Sequence, residues 1–135
     1  MTADIEKSTP RKEGQEMKVI TKAKELAVHT FKLTINTNRY PKKLRHSLVD
    51  KMQIKSLEIY ETLFEANRIS NATNKNDRCE MITKAITYCD ELNFFIELSI
   101  EISLLSDGSA GYWSRLVSDV KNMAIAWRTL ERARQ

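Results

Sequence analysis

The sequence has little of the residue types that shape tight turns. Its 135 residues include only three glycines and two prolines. All-β domains need many turns, and these depend on Gly and Pro at positions that few other residues tolerate. Hydrophobic residues make up 41% of the chain and charged residues 30%, a balance typical of a globular domain. These values favour a few long helices over a sheet.

Long hydrophobic runs are also missing. No apolar segment approaches the roughly 20 residues that a membrane span requires. The first residues, MTADIEKSTPRKEG, contain no apolar stretch of the kind found in a secretory signal. We therefore expect a cytoplasmic protein that has no membrane partner.

Cysteine is scarce. The chain has two, Cys79 and Cys89, ten positions apart on one predicted helix. At 1.5 Å per residue their separation along the helix is about 15 Å, which is too far for a disulfide. Both are expected to be small buried hydrophobic residues.

Residues with catalytic or metal-binding chemistry are few and scattered. His29 and His46 lie on different predicted helices, and the chain has neither a His-Glu-x-x-His motif nor a Cys-x-x-Cys pair for a metal. Gly108 and Gly111 in SDGSAG lack the Lys-Ser/Thr pair of a phosphate-binding loop, so we expect a helix-breaking turn there. The sequence predicts no catalytic residue, no metal, no cofactor and no small-molecule substrate, and therefore no enzyme.

Apolar residues recur at intervals of three and four, the spacing of amphipathic helices. After a flexible tail at residues 1–14, they predict a domain of four helices at residues 15–135. The expected helices span about 16–38, 41–69 and 77–105, and a fourth follows the glycines. Long helices with short connections predict an all-α, up-down-up-down four-helix bundle. The apolar stripes expected on helices one, two and four are Val19, Ile20, Ala23, Leu26, Ala27, Phe31 and Ile35; Leu48, Met52, Ile59 and Leu63; and Trp113, Leu116, Val117, Val120, Ala124, Trp127 and Leu130.

The third predicted helix is apolar around most of its circumference. Asp90, Glu97 and Glu101 fall on one narrow line, and most other positions are apolar. Either this helix has an unusually wide core face, or it also forms a subunit interface. We favour the interface, with the acidic line meeting cations of a neighbouring helix or chain. The expected interface residues are Phe94, Phe95, Leu98, Ile102 and Leu105.

A cluster of cations opens the second predicted helix. Residues 39–46, RYPKKLRH, carry Arg39, Lys42, Lys43, Arg45 and His46. A helix N-terminus is partly positive, so each exposed cation there costs about 0.3–1 kcal/mol. Either these side chains serve solubility on a solvated helix end, or they await an anionic partner such as phosphate.

The end of the chain supplies a second set of cations. Arg128 and Arg132 are four residues apart and share a face of the last predicted helix. Arg134 and Lys121 extend the positive surface. Three aromatic residues flank the predicted loops: Tyr40, Tyr112 and Trp113. Such residues can stack on the bases of single-stranded RNA, although packing inside the bundle is the commoner role.

The stretch RYPKKLRHSLVDKM, the helix plan around it and the closing AIAWRTLERARQ resemble the small bacterial four-helix-bundle proteins related to the ribosomal-intervening-sequence family. Within that group the chain is most similar to the accessory variability determinant (Avd) family of diversity-generating retroelements. The resemblance covers about residues 16–134. It rests on Pro41, Lys42 and Lys43 at the start of helix two and on Trp127 in a basic last helix.

The resemblance implies a homopentameric barrel with a positively charged surface. It further implies binding to the retroelement's reverse transcriptase and to its template RNA, or an RNA/DNA hybrid, in support of mutagenic cDNA synthesis. Lys42 and Lys43 are expected to contact the nucleic acid. On the basis of charge, we expect the same of six further residues: Arg39, Arg45, His46, Arg128, Arg132 and Arg134. The alternative is a stand-alone oligomeric bundle that binds only protein.

Overall fold

Four long helices make up the fold. This computed structural model describes residues 10–69 and 75–134, with side chains described from residue 18 onward. The helices are α1 (Pro10–Thr34), α2 (Asp50–Arg68), α3 (Lys75–Glu101) and α4 (Asp107–Ala133). Within these ranges no residue lies in a β-strand. The all-α class expected from composition and periodicity is confirmed.

The helices pack as a closed four-membered bundle. Each contacts the next along the chain, and α1 also packs against α4. Tyr40, between α1 and α2, bonds Ser99 near the end of α3, while Arg78 at the start of α3 bonds Glu131 near the end of α4. Consecutive helices therefore run in opposite directions. One end of the bundle holds the α1–α2 and α3–α4 connections, and the other holds the ends of α2 and α4.

The first helix begins and ends earlier than expected. It starts at Pro10, inside the segment predicted to be a tail, and residues 1–9 lie outside the described residues. It stops at Thr34 because Asn36 turns the chain. The Asn36 carbonyl accepts from the Tyr40 amide at 2.8 Å, and its side-chain oxygen accepts from the Asn38 amide at 2.9 Å. Asn side chains commonly stabilise such turns.

The sequence predicted that the second helix begins at Pro41, but in the structure α2 begins at Asp50. A 3-10 turn at Lys42–Leu44 and a π turn at Arg45–Val49 precede α2. Leu48 and Val49 are adjacent and both buried. In a regular α-helix adjacent side chains point about 100° apart, and the wider π turn narrows that angle so that both reach the core.

The break between α3 and α4 is not made by glycine, which corrects the sequence expectation. Helix α3 ends at Glu101, and Ser103 adopts a left-handed φ of 65°. The amide of Leu104 then donates to the Ser99 carbonyl at 2.8 Å, as in a Schellman motif. Ser106 caps α4 by accepting from the Ser109 amide at 3.2 Å. Gly108 and Gly111 lie inside the first turns of α4.

The core follows most of the expected stripes. Leu48, Met52, Ile59 and Leu63 are all buried, as are six of the seven residues expected on α4. The seventh, Leu130, is 55% exposed, so that expectation was wrong. Ile35 was wrongly placed on helix one, because it lies beyond the end of α1, and it is exposed.

Both cysteines are free and buried, as expected. Burial, with a smaller contribution from neighbouring Asp90, raises the pKa of Cys89 to about 12. Its thiol therefore stays protonated at neutral pH and behaves as a small apolar group. In the described parts of the chain, no helix combines the length and the apolar character needed to cross a membrane.

Candidate nucleic-acid interface

The basic stretch of residues 39–46 lies in the connection before α2. The side chains of Lys42, Lys43, Arg45 and His46 are exposed, and Arg39 is half-buried. Among the described residues, His46 is the only one of the five whose side chain contacts a carboxylate, with Nδ1 3.0 Å from Asp50 Oδ2. The other four cations of the stretch are uncompensated within this part of the chain.

The structure also shows how these cations are placed relative to the N-terminus of α2. Lys42 and Lys43 lie in the 3-10 turn, and Arg45 and His46 lie in the π turn that leads into α2, while Asp50 occupies the first turn of α2. An acidic residue in the first turn is favourable for the helix dipole, whose effect falls off within one turn. The unfavourable interaction of these cations with the helix dipole is therefore smaller than the sequence suggested. Their charges remain available to an anionic partner.

The cations of α4 are more constrained. Arg134 Nε donates to Glu131 Oε2 at 3.0 Å, and Arg128 Nη1 donates to Thr83 Oγ1 at 3.0 Å. Lys121 pairs with Asp90 at 2.6 Å, so one residue of the acidic line does meet a cation of a neighbouring helix. Arg132 is exposed and lines an open cleft with Lys75 and Glu80, among others. Of this set, Arg132 alone has no side-chain partner among the described residues.

The two sets of cations lie at opposite ends of the molecule. Residues 39–46 precede α2, whereas Arg128, Arg132 and Arg134 lie near its far end, where Arg78 joins α4 to α2. Helix α2 alone has 19 residues, which at 1.5 Å per residue separates its ends by about 28 Å. Within one chain the predicted nucleic-acid residues therefore do not form one surface. Residues 39–46 make the stronger candidate.

The residues expected at a subunit interface divide into three groups. Phe94 is 58% exposed and Ile102 is 46% exposed. Phe95 and Leu98 are half-buried and pack on the outside of the core. Leu105 is buried within the chain itself, so it offers little surface to a second copy.

Helix α2 contributes exposed apolar residues that the sequence reasoning missed. Ile54, Leu57 and Phe64 are all exposed. At 100° per residue they fall within about 80° of one another, outside the stripe that faces the core. Counting apolar positions beyond the core stripe of α2 would have found them.

A groove between α2 and α3 contains one exposed apolar residue from each helix, Ile54 and Phe94. It has a volume of about 640 Å³, and Ile54, Phe94 and Phe95 are its apolar lining residues. Charged residues also line it: Lys51, Lys55, Glu58, Asp90 and Glu91. Lys55 is held by Glu91 at 2.9 Å and by Glu58 at 3.0 Å. We call this groove, together with Ile102, the α2–α3 surface.

A smaller pocket lies beside the basic stretch. Its volume is about 240 Å³. Helix α1, the connection and α2 all contribute to it, with the lining residues Thr34, Ile35, Thr37, Tyr40, Pro41, Lys42, Arg45, Val49, Asp50 and Gln53. We call it the connection pocket. Two cations of the basic stretch thus border a recess in the protein.

The aromatic residues near the loops are used mainly for packing. Tyr40 is buried and donates to Ser99 Oγ at 2.8 Å; burial raises its pKa, so the phenol remains a donor. Trp113 is buried and donates to Thr30 Oγ1 at 3.0 Å. Tyr112 is exposed and its ring meets His29 edge-on at 4.8 Å. Of the three, only Tyr112 presents a face to solvent.

The described residues include no group of three His, Cys, Asp or Glu side chains placed to hold a metal ion. Comparison of the chain with protein-family models, with curated proteins and with solved structures found no match.

Proposed function

We propose that this chain is a non-catalytic, oligomeric RNA-binding protein that acts in the cytoplasm as the accessory subunit of a diversity-generating retroelement. Its partners are the reverse transcriptase and the template RNA. The observation that carries the proposal is the exposed group Lys42, Lys43 and Arg45, which has no ion-pair partner among the described residues. The resemblance of the helix plan and of the PKK sequence to the Avd family supplies the biological setting.

Self-association makes the modest charge of one chain effective. Each copy has a formal charge of +4, so a homopentamer carries +20. The α2–α3 surface provides apolar area for such contacts. Its part near the end of α3 lies at the same end of the bundle as the basic stretch, because Ser99 bonds Tyr40. A ring of copies would gather several basic stretches on one rim. Multiple weak contacts of this kind raise overall affinity through effective concentration.

The proposed mechanism is positioning without chemistry. Phosphate contacts from Lys42, Lys43 and Arg45 orient an RNA but do not read its sequence. The polymerase would find its template held at high local concentration on the same scaffold. A reverse-transcriptase gene and a near-repeat template beside this gene would agree with the assignment.

The test is RNA binding across a salt series. A labelled structured RNA is titrated with wild type and with a Lys42→Ala, Lys43→Ala, Arg45→Ala triple variant, and binding is followed by fluorescence anisotropy. Each lost phosphate contact lowers the slope of log K against log salt by about 0.7–0.9. We expect weaker binding by the variant and a slope that is shallower by about 2.

The matched control removes three other exposed cations, Lys18, Lys24 and Lys84, which lie on α1 and α3. It has the same net charge as the test variant and should bind nearly as wild type does. Equal weakening in both triple variants would show that net charge alone is responsible and would contradict a site at residues 39–46.

The second candidate is an oligomeric scaffold that binds only protein. The α2–α3 surface favours it, since exposed apolar residues such as Ile54 and Phe94 serve protein contacts whether or not RNA binds. Absence of RNA binding at about 100 mM salt, with the oligomer intact, would select this alternative, because a phosphate-driven complex persists at that salt concentration.

A further inference from the structure

The connection pocket combines three kinds of lining residue. Exposed residues mark its mouth, and two of these, Lys42 and Arg45, are cationic. Thr34, Tyr40 and Val49 are buried and form its floor. Asp50 and Gln53 are partly exposed and stand between floor and mouth. The pocket thus has a positive rim and a polar interior.

Hydrogen bonding within the pocket leaves acceptors free. The Thr34 hydroxyl donates to the Thr30 carbonyl at 2.8 Å and accepts from Gln53 Nε2 at 2.9 Å.

 The single donor of the Thr34 hydroxyl is therefore already used. The Gln53 side-chain oxygen has no donor among the described residues, and Asp50 Oδ2 is engaged only by His46, at 3.0 Å. The interior consequently offers acceptors to a ligand.

The π turn brings these groups together. Arg45 and Val49, its first and last residues, both line the pocket. A regular helix from Pro41 would place these side chains differently, because the wider turn changes the direction of each residue around the axis. Single π turns occur often at functional sites. The irregular start of α2 is therefore part of the pocket's construction.

Size and charge together select the ligand. At about 240 Å³ the pocket is smaller than the roughly 300–1,000 Å³ of sites for drug-sized molecules, so it suits a single flat ring system. The Asp50 carboxylate disfavours an anion in the interior, whereas the N–H groups of a nucleobase can donate to the free acceptors. The cations at the mouth suit a phosphate.

We propose that the connection pocket receives the base of one unpaired nucleotide of a single-stranded RNA, while Lys42 and Arg45 hold the adjacent phosphate. This inference rests on the RNA binding proposed above and deepens it. Proteins that recognise single-stranded RNA commonly splay out unstacked bases and hydrogen-bond their edges. A base within a duplex cannot enter, so the protein should prefer single strands and loops.

The test blocks the pocket without changing charge. Thr37 is exposed and lies at the mouth; a Thr37→Phe substitution narrows the entrance. Thr21→Phe, at an exposed position on α1, is the matched control. A short single-stranded RNA with one 2-aminopurine reports insertion of the base through its fluorescence, and salt titrations report the phosphate contacts.

We expect wild type and Thr21→Phe to change the 2-aminopurine fluorescence and to bind single-stranded RNA more tightly than a duplex of equal length. Thr37→Phe should abolish the fluorescence change and weaken binding about tenfold, with the salt slope unchanged. That combination separates loss of a base contact from loss of a phosphate contact.

Three other results would overturn the inference. RNA binding by Thr37→Phe that equals wild type, with the same fluorescence, leaves the proposed function standing and removes the pocket from it. Loss of all RNA binding by wild type contradicts the pocket and the proposed function together. Competition by a free nucleoside monophosphate as effective as that by the RNA would assign the pocket to a free nucleotide.

Discussion

Arg78 is the residue with the most bonds to other helices among those described. It is 7% exposed, and its guanidinium donates to Glu131 Oε2 at 3.1 Å. It also donates to three carbonyl oxygens at the end of α2: Ala66, Asn67 and Ile69. Carbonyls at a helix end lack partners within the helix, so Arg78 satisfies them while joining α2, α3 and α4.

Glu131→Ala should therefore destabilise the fold strongly. Glu131 is 0% exposed, and its removal leaves the buried guanidinium of Arg78 without its carboxylate. Breaking a buried ion pair on one side costs about 3–5 kcal/mol. Urea denaturation followed by circular dichroism measures the free energy of unfolding.

Arg134→Ala is the control for that substitution. Arg134 also bonds Glu131, at 3.0 Å, but its side chain is about half exposed. Its removal leaves the Arg78–Glu131 pair in place, so we expect a loss of about 0–1 kcal/mol. Equal losses in the two variants would contradict a dominant role for the buried pair.

His29 makes stability depend on pH. Burial lowers its pKa below the ordinary 6.5, and the charges of Lys32 and Arg39 lower it further. Its Nε2 atom is buried with no partner among the described residues. Between the lowered pKa and 6.5 the unfolded chain binds a proton there and the folded chain does not. Stability therefore falls as the pH drops through this interval.

We expect the urea concentration at the unfolding midpoint of wild type to decrease when the pH is lowered from 7.5 to 5.5. A His29→Gln variant, which cannot titrate in this range, should show a smaller change between the two pH values. The comparison uses the difference between pH values, so any loss of packing in the variant cancels. Identical pH dependence in the two proteins would exclude His29 as the cause.

At the scale of elements, the α1–α2 connection is held to α3 by one buried hydrogen bond. Tyr40 donates to Ser99 Oγ at 2.8 Å, and Ser99 in turn donates to the Phe95 carbonyl at 2.9 Å. Because Tyr40 lies within the basic stretch, this bond sets the position of Lys42 and Arg45 relative to the bundle. The connection is thus anchored on its buried side and cationic on its exposed side.

Tyr40→Phe should cost about 0.5–1.5 kcal/mol, the usual net value of one buried hydrogen bond. Ser99→Ala removes the same bond from the other side. If the two residues act as a pair, the double variant loses less than the sum of the single variants in urea denaturation. Strict additivity would show that the bond contributes nothing.

At the scale of the whole molecule, four of the nine exposed large apolar residues among those described lie on two adjoining helices. Ile54, Leu57 and Phe64 lie on α2, and Phe94 lies on α3. Of these, Ile54 and Phe94 line the groove between the two helices. Exposed aromatic residues such as Phe94 are enriched in protein interfaces. The expectation that α3 forms a subunit interface is thereby extended to α2.

A charge on this surface should dissociate the oligomer. We expect wild type and Leu130→Asp to share one oligomeric mass in light scattering, and Phe94→Asp to be a monomer. The two side chains are matched, at 55% and 58% exposed, but Leu130 lies on α4, away from the groove. A monomeric wild type, or equal dissociation of both variants, would contradict an interface on the α2–α3 surface.

Much of the fold could be predicted from local patterns. Apolar spacing identified four helices and nearly all of the core residues of α4, because burial of a helix face follows its own period. The same reasoning misplaced Leu130, because the charged residue Glu131 occupies the buried position of that turn and bonds Arg78. It also assigned the α3–α4 break to glycines, although Ser103 makes the turn and Ser106 caps the next helix.

The candidate site was predicted less completely. The basic stretch was identified by its charge, but the assignment of Arg134 to the same site did not consider Glu131, which lies three residues away and binds it. The free acceptors of the connection pocket had no sequence signal, because Gln53 and Thr34 belong to different helices. Nor did charge counting show that the two cationic sets lie at opposite ends.

By itself the sequence determined the all-α class, the approximate extent of the helices and the position of the cations along the chain, because these depend on neighbours a few residues apart. Only the tertiary structure decided which charges are neutralised and which face solvent. The pairs Arg78–Glu131 and Lys121–Asp90 are 53 and 31 residues apart, so they form only when whole helices pack. What remains exposed and uncompensated after that packing is the surface available to a partner.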